Sequence, residues 1–264
     1  MKAAKETGTT DTLPPACQTV SLGKNSFRVI LLTTVSGFVE VTAFMDCDRL
    51  YASIMTGNTV QLGMNLAAAN WTRFGLFAYA IVLFFINCIL ASLIRRHLAR
   101  PRMELVMMAA VLILASIARL HPAWNLALEL PLLSLALAMQ GETIARFGAV
   151  SLQTLVVTNN IIKFCDAFTG RFISRRFLEK TGSAVPTLDE VLLPGLAWLA
   201  YVTSAGLAAL VHGMNRFFLL LPACLVMLVA ASLQNEEKRH KNRKIPSFHH
   251  DKTAGNIESD QTND

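Results

Sequence analysis

Eight apolar runs follow one another between residues 29 and 233, separated only by short polar stretches: 29–45, 54–69, 74–94, 103–120, 124–145, 150–168, 191–211 and 217–233. Crossing the hydrocarbon of a bilayer takes about 20 residues of helix, with a range of about 17–25. Runs of that length, in that number, dictate an all-α integral membrane protein. Composition agrees: 53% of the chain is hydrophobic and 16% charged, with mean hydropathy +0.44, where soluble domains carry about 25% charge. A single water-soluble core cannot absorb so much apolar sequence, whereas a helix in lipid may be apolar all round. The lipid bilayer is therefore the first partner.

Three regions follow from this. Residues 1–28 read as a polar, disordered tail, 29–233 as the membrane domain, and 234–264 as a second polar, disordered tail. About 27 polar residues, Pro14 and Pro15 among them, precede the first apolar run, so that run is expected to be retained rather than cleaved as a signal peptide. The net charge of +6 does not point to nucleic acid, because Lys and Arg cluster between apolar runs and in the tail. That is the distribution that orients membrane helices.

The second and sixth runs are poor spans. Residues 54–69 carry Thr56, Gly57, Asn58, Thr59, Gln61 and Asn65, and residues 150–168 carry Gln153, Thr158, Asn159, Asn160, Lys163 and Asp166. If both are re-entrant, six helices cross and both termini are cytoplasmic. Nineteen Lys and Arg then lie inside, including Arg95, Arg96, Arg100 and Arg102, against Arg49, Arg73, Arg119 and Arg216 outside. If all eight cross, the cluster from Arg95 to Arg102 moves outside, against the positive-inside bias. Six crossings in an inner membrane are the expectation.

The two polar runs also repeat one another. Thr56-Gly57-Asn58 begins sixteen residues after Glu40, and Thr158-Asn159-Asn160 begins sixteen after Glu142; the two sets are offset by 102 positions. Residues 29–120 and 124–233 thus read as two units of span, re-entrant segment, span and span. With three crossings each, the units are inverted, as in many transporters whose broken helices meet near the midplane.

Candidate site residues lie at those breaks. Glu40 is an ionisable group within a span, which is costly in lipid and so faces protein or water. It is either a coupling or substrate-orienting carboxylate, or a neutral group that fixes helix contacts. Thr56, Gly57, Asn58, Thr158 and Asn160 offer hydroxyls and amides where the backbone ladder is broken, although such residues also join helices in lipid. Glu142 and Arg146 are spaced for an ion pair on one helix face, and Glu129 with Pro131 reads as a helix end and kink. The five cysteines are widely spaced without Cys/His pairing, so no metal or disulfide framework is expected. No hydrolase, P-loop, metalloprotease or dinucleotide motif is present, so neither an enzyme nor a cofactor is expected. Two functions remain: a small-solute transporter or channel-like protein, taking a small molecule or ion at a midplane site, or a non-transporting scaffold, assembly factor or sensor.

The stretch from Met55 to Gly63, Met-Thr-Gly-Asn-Thr-Val-Gln-Leu-Gly, resembles the signature of the YoaK family, bacterial membrane proteins with a domain of unknown function. Gly37-Phe38-Val39-Glu40 is similar to that family's first-helix motif, with Glu in place of Asp. Ala136–Met139 and Val157-Thr158 resemble its second-half segments, although Asn159 replaces Gly and Glu142 replaces Gln. The resemblance implies a polytopic inner-membrane protein and supplies no substrate.

Overall fold

The computed structural model describes residues 22–98, 101–144, 157–182, 184–214 and 217–243. The greater part of both expected tails, and Arg146 with it, lies outside the described residues. Each apolar run forms a helix: α1 (Leu22–Asp46), α2 (Met55–Ala67), α3 (Trp71–His97), α4 (Pro101–Ala118), α5 (Leu130–Ile144), α6 (Val157–Phe168), α8 (Leu188–Val211) and α9 (Leu220–Arg243), with a short α7 (Arg175–Thr181) before α8. No strand occurs among the described residues.

Local chemistry sets several boundaries. The Asn70 side chain accepts the Arg73 N–H at the start of α3, and Arg95, Arg96 and His97 occupy its last turn, where cations complement the exposed carbonyls. Thr187 and Glu190 form a reciprocal capping box at the start of α8. Pro131 has no N–H to give to the ladder, and a π-helical turn at Asn125–Glu129 immediately precedes it. The expected kink at Glu129 and Pro131 is this local widening, within an otherwise continuous helical rod from Pro122 to Ile144. Helix α9 runs ten residues past 233, because Gln, Glu, Lys and Arg are good helix formers even without lipid.

Among the described residues four helices are long and apolar enough to cross a membrane, at Phe27–Asp46, Trp71–His97, Pro122–Gly141 and Leu188–Val211. Val82, Phe85, Ile86 and Ile89 on α3, and Leu192, Leu196 and Leu199 on α8, point outward. Contiguous apolar surface of that extent is untenable in water and natural against lipid. This is a membrane protein.

Helix α1 crosses α8 closely, since a Cβ on Gly37 would lie 2.5 Å from the Tyr201 carbonyl oxygen. The other principal pairs are α3 with α5, α4 with α5 and α9, α2 with α3, α6 with α8, and α1 with α9 and α5. Leu32, Val35 and Val39 from α1, Leu105, Met108 and Leu112 from α4, Leu133 and Leu137 from α5, and Val226 and Val229 from α9 share one buried core.

Candidate functional site

Between α1 and α2 the chain reverses over residues 47–54, and its backbone polar groups must be paired inside the protein. Two of the expected site residues do this. The Glu40 carboxylate is 2% exposed. It accepts the Ala52 N–H at 3.0 Å and the Ser53 N–H at 2.8 Å, together with the Ser53 hydroxyl. Asn58, fully buried, closes on the same loop: its Oδ1 accepts the Tyr51 N–H at 3.1 Å and its Nδ2 donates to the Tyr51 carbonyl at 2.9 Å. Helix α2 has no side-chain cap of its own at Ile54. Glu40 supplies acceptor oxygens from another helix to the backbone N–H groups just ahead of that N-terminus.

Gly57 has a shape role. A Cβ there would lie 2.9 Å from the Tyr51 ring, so glycine lets that ring lie against α2, where it also meets Phe44 at 4.9 Å between centroids. Thr56 remains exposed. Glu40, Gly57 and Asn58 thus converge on one loop, and the neighbouring Thr56 is exposed.

The second motif sits on a different helix pair. Thr158 is exposed and Asn160 is buried on α6, which lies against α8. A Cβ on Gly195 would stand 2.9 Å from the Phe164 ring, so a glycine again brings two helices together. The Glu142 side chain lies outside the described residues, as does its expected partner Arg146.

A second polar centre does not follow from the motifs. Arg119, at the end of α4, donates from Nε to the Asp46 carboxylate at 2.6 Å and stands 3.9 Å from Glu129 Oε1. His212, just after α8, places Nε2 2.7 Å from the other Asp46 oxygen. Arg119 also reaches the His212 carbonyl at 3.3 Å, and its guanidinium lies 4.0 Å from the centre of the Phe218 ring. Asn125 donates to the Asp46 carbonyl at 3.0 Å. Glu129, read from sequence as part of a kink, is a fully buried carboxyl in this group. Burial pushes the Cys47 thiol well above its ordinary range. It therefore stays protonated, with Sγ 3.4 Å from the Asn125 carbonyl oxygen. The sequence signal was faint: Asp46, Arg119 and His212 each sit at the edge of an apolar run, where charges normally meet water.

A family model described as a protein of unknown function, DUF1275, matches residues 29–233. The chain belongs to the DUF1275 family. No curated protein and no solved structure matches it. The matched stretch of this DUF1275 chain takes in both polar motifs, the loop held by Glu40 and Asn58, and the Arg119 centre. The family description carries no substrate, so function rests on the geometry.

Proposed function

We propose that this protein is a small-solute transporter or channel-like protein of the inner membrane, built as two inverted halves with six crossings and both termini cytoplasmic. The carrying observation is the pairing of helices. Exchanging residues 29–120 with 124–233 equates α1 with α5, α2 with α6, α3 with α8 and α4 with α9. Under that exchange α1 on α8 is answered by α5 on α3, α2 on α3 by α6 on α8, and α1 on α9 by α5 on α4. The pairs α4 with α9 and α1 with α5 map onto themselves.

Side-chain contacts support the crossing number. With eight crossings, residues 46 and 119 would fall on opposite faces, about 30 Å of hydrocarbon apart, whereas Asp46 and Arg119 are ion-paired. Arg73 donates to the Asp48 carbonyl at 2.9 Å, which favours α2 leaving and returning on one side. Helix α2 has 13 residues and α6 has 12, so each is about 18–20 Å long and reaches only part-way across. Broken helices of this kind line substrate sites in transporters.

Within that reading Glu40, Gly57 and Asn58 shape the first break, and Asn160 belongs to the second. Thr56 and Thr158 offer the hydroxyls that meet the solute. Neither catalysis nor nucleic-acid binding is part of the proposal. The test is a thermal-stability screen of the detergent-purified protein against amino acids, sugars, organic anions and monovalent cations. A solute should stabilise the wild type and lose its effect in Thr56→Val or Thr158→Val, each melting normally when alone. Stabilisation that both variants retain would overturn the site. A screen with no stabilising solute favours the scaffold, assembly-factor or sensor reading. One observation speaks for that alternative: Glu40 and Asn58 spend their hydrogen bonds on their own loop, as a dry interior requires.

A further inference from the structure

Asp46 and Glu129 share one guanidinium, and they share it unequally. Asp46 takes Arg119 Nε at 2.6 Å and His212 Nε2 at 2.7 Å, one on each oxygen. Glu129 is 3.9 Å from the same nitrogen and fully buried, and among the described residues no donor is hydrogen-bonded to either of its oxygens. An ionised carboxylate so placed has only a share of Arg119 to offset its desolvation cost, which a carboxylic acid does not bear. A proton on Glu129 also makes that carboxyl a donor, with the Asp46 carboxylate beside it as acceptor. The surrounding titratable and charged groups among the described residues are Asp46, Cys47 and Asp48 at the end of α1, Tyr79 on α3, Arg119 on α4 and His212 after α8. Arg119 is the one permanent cation in that set, facing more than one acid.

We infer that Glu129 is a proton-binding site, holding its proton as a carboxylic acid and exchanging it with water through Asp46 and His212. Side-chain exposure falls from 21% at His212 to 12% at Asp46 and 0% at Glu129, which gives the path its direction. Water delivers a proton to the Nδ1 of His212, and the imidazole releases the proton on Nε2 to Asp46. Asp46 passes a proton to the Glu129 carboxylate and returns to its ionised form, so one proton has moved from water to Glu129 and the His212 imidazole has changed tautomer, which rotation of the ring or exchange with water resets. This goes beyond the transport reading, because proton binding here requires no transported solute. Where transport does occur, Glu129 is the coupling carboxyl and Glu40 the positioning one.

Infrared difference spectroscopy on the purified full chain reads the proton directly. At neutral pH the wild-type spectrum should contain the carbonyl-stretch band of a buried carboxylic acid, and Glu129→Gln should lose it. Asp46→Asn removes the competing anion, frees Arg119 for Glu129 and should also diminish the band, so the inference stays testable if one variant folds poorly. His212→Phe should keep the band and slow its deuterium shift. A wild type with no Glu129-dependent band would overturn the assignment, as would a band undiminished in Asp46→Asn. An unchanged deuterium shift in His212→Phe would overturn the pathway.

Discussion

Removing the Glu40 side chain would leave the N–H groups of Ala52 and Ser53 without their acceptors, at about 1–3 kcal/mol for each that stays buried. Glu40→Ala is accordingly expected to lower the melting temperature in detergent and to open residues 47–54 to proteolysis. Glu40→Gln keeps one acceptor oxygen and should cost less. Equal melting of Glu40→Ala and wild type would show that the loop does not depend on the clasp. Gly37 is constrained more simply. Its Cβ position is filled by the Tyr201 carbonyl, which belongs to the backbone and cannot rotate away. Gly37→Ala should therefore separate α1 from α8 and cost at least the ~1–3 kcal/mol of an overfilled core. Adding Ser204→Gly should not restore stability, because the obstructing atom remains. At this scale the sequence identified Glu40 as a carboxyl out of place in lipid. It could not identify the partners, because backbone N–H groups leave no mark on composition.

Arg119 joins ends that no local pattern connects: Asp46 of α1, the turn after α8 at His212, the π turn at Glu129 and Phe218 before α9. Breaking a buried ion pair by removing one partner costs about 3–5 kcal/mol, because the other charge is stranded. Arg119→Met should therefore destabilise the protein severely. Adding Asp46→Asn should recover part of that loss, because no unpaired charge then remains. Melting curves of the two single variants and the double variant decide this, and strictly additive losses would argue against a direct pair. Helix existence was legible, since each of the eight apolar runs contains a helix, although the helix ends depart from the runs, most at α1 and α9. The Arg119 centre was not, because Arg119 by itself resembles any loop charge. Only the folded ends show that it is 8% exposed and shared between acids.

Over the whole molecule, the repeat offset of 102 positions and the placement of Lys and Arg predict one arrangement, in which 46, 119, 125 and 212 share a face. In the structure Asp46 is in contact with Arg119, Asn125 and His212. Towards the other end of α1, Arg28 donates to Ser232 at 2.9 Å, joining the first part of α1 to the middle of α9. The second half was less legible, because its motif departs from the first at Asn159 and its Glu142 side chain falls outside the described residues. The six-crossing, inverted architecture is tested most directly by sided labelling in intact cells, in a variant lacking native cysteines. Single cysteines would be placed at Asp48, Trp71, His121, Leu98 and Ala184 and exposed to a membrane-impermeant thiol reagent. Labelling of positions 48, 71 and 121 from outside, with 98 and 184 reached only after the membrane is opened, is the predicted result. Labelling of positions 48 and 71 from opposite sides would contradict it.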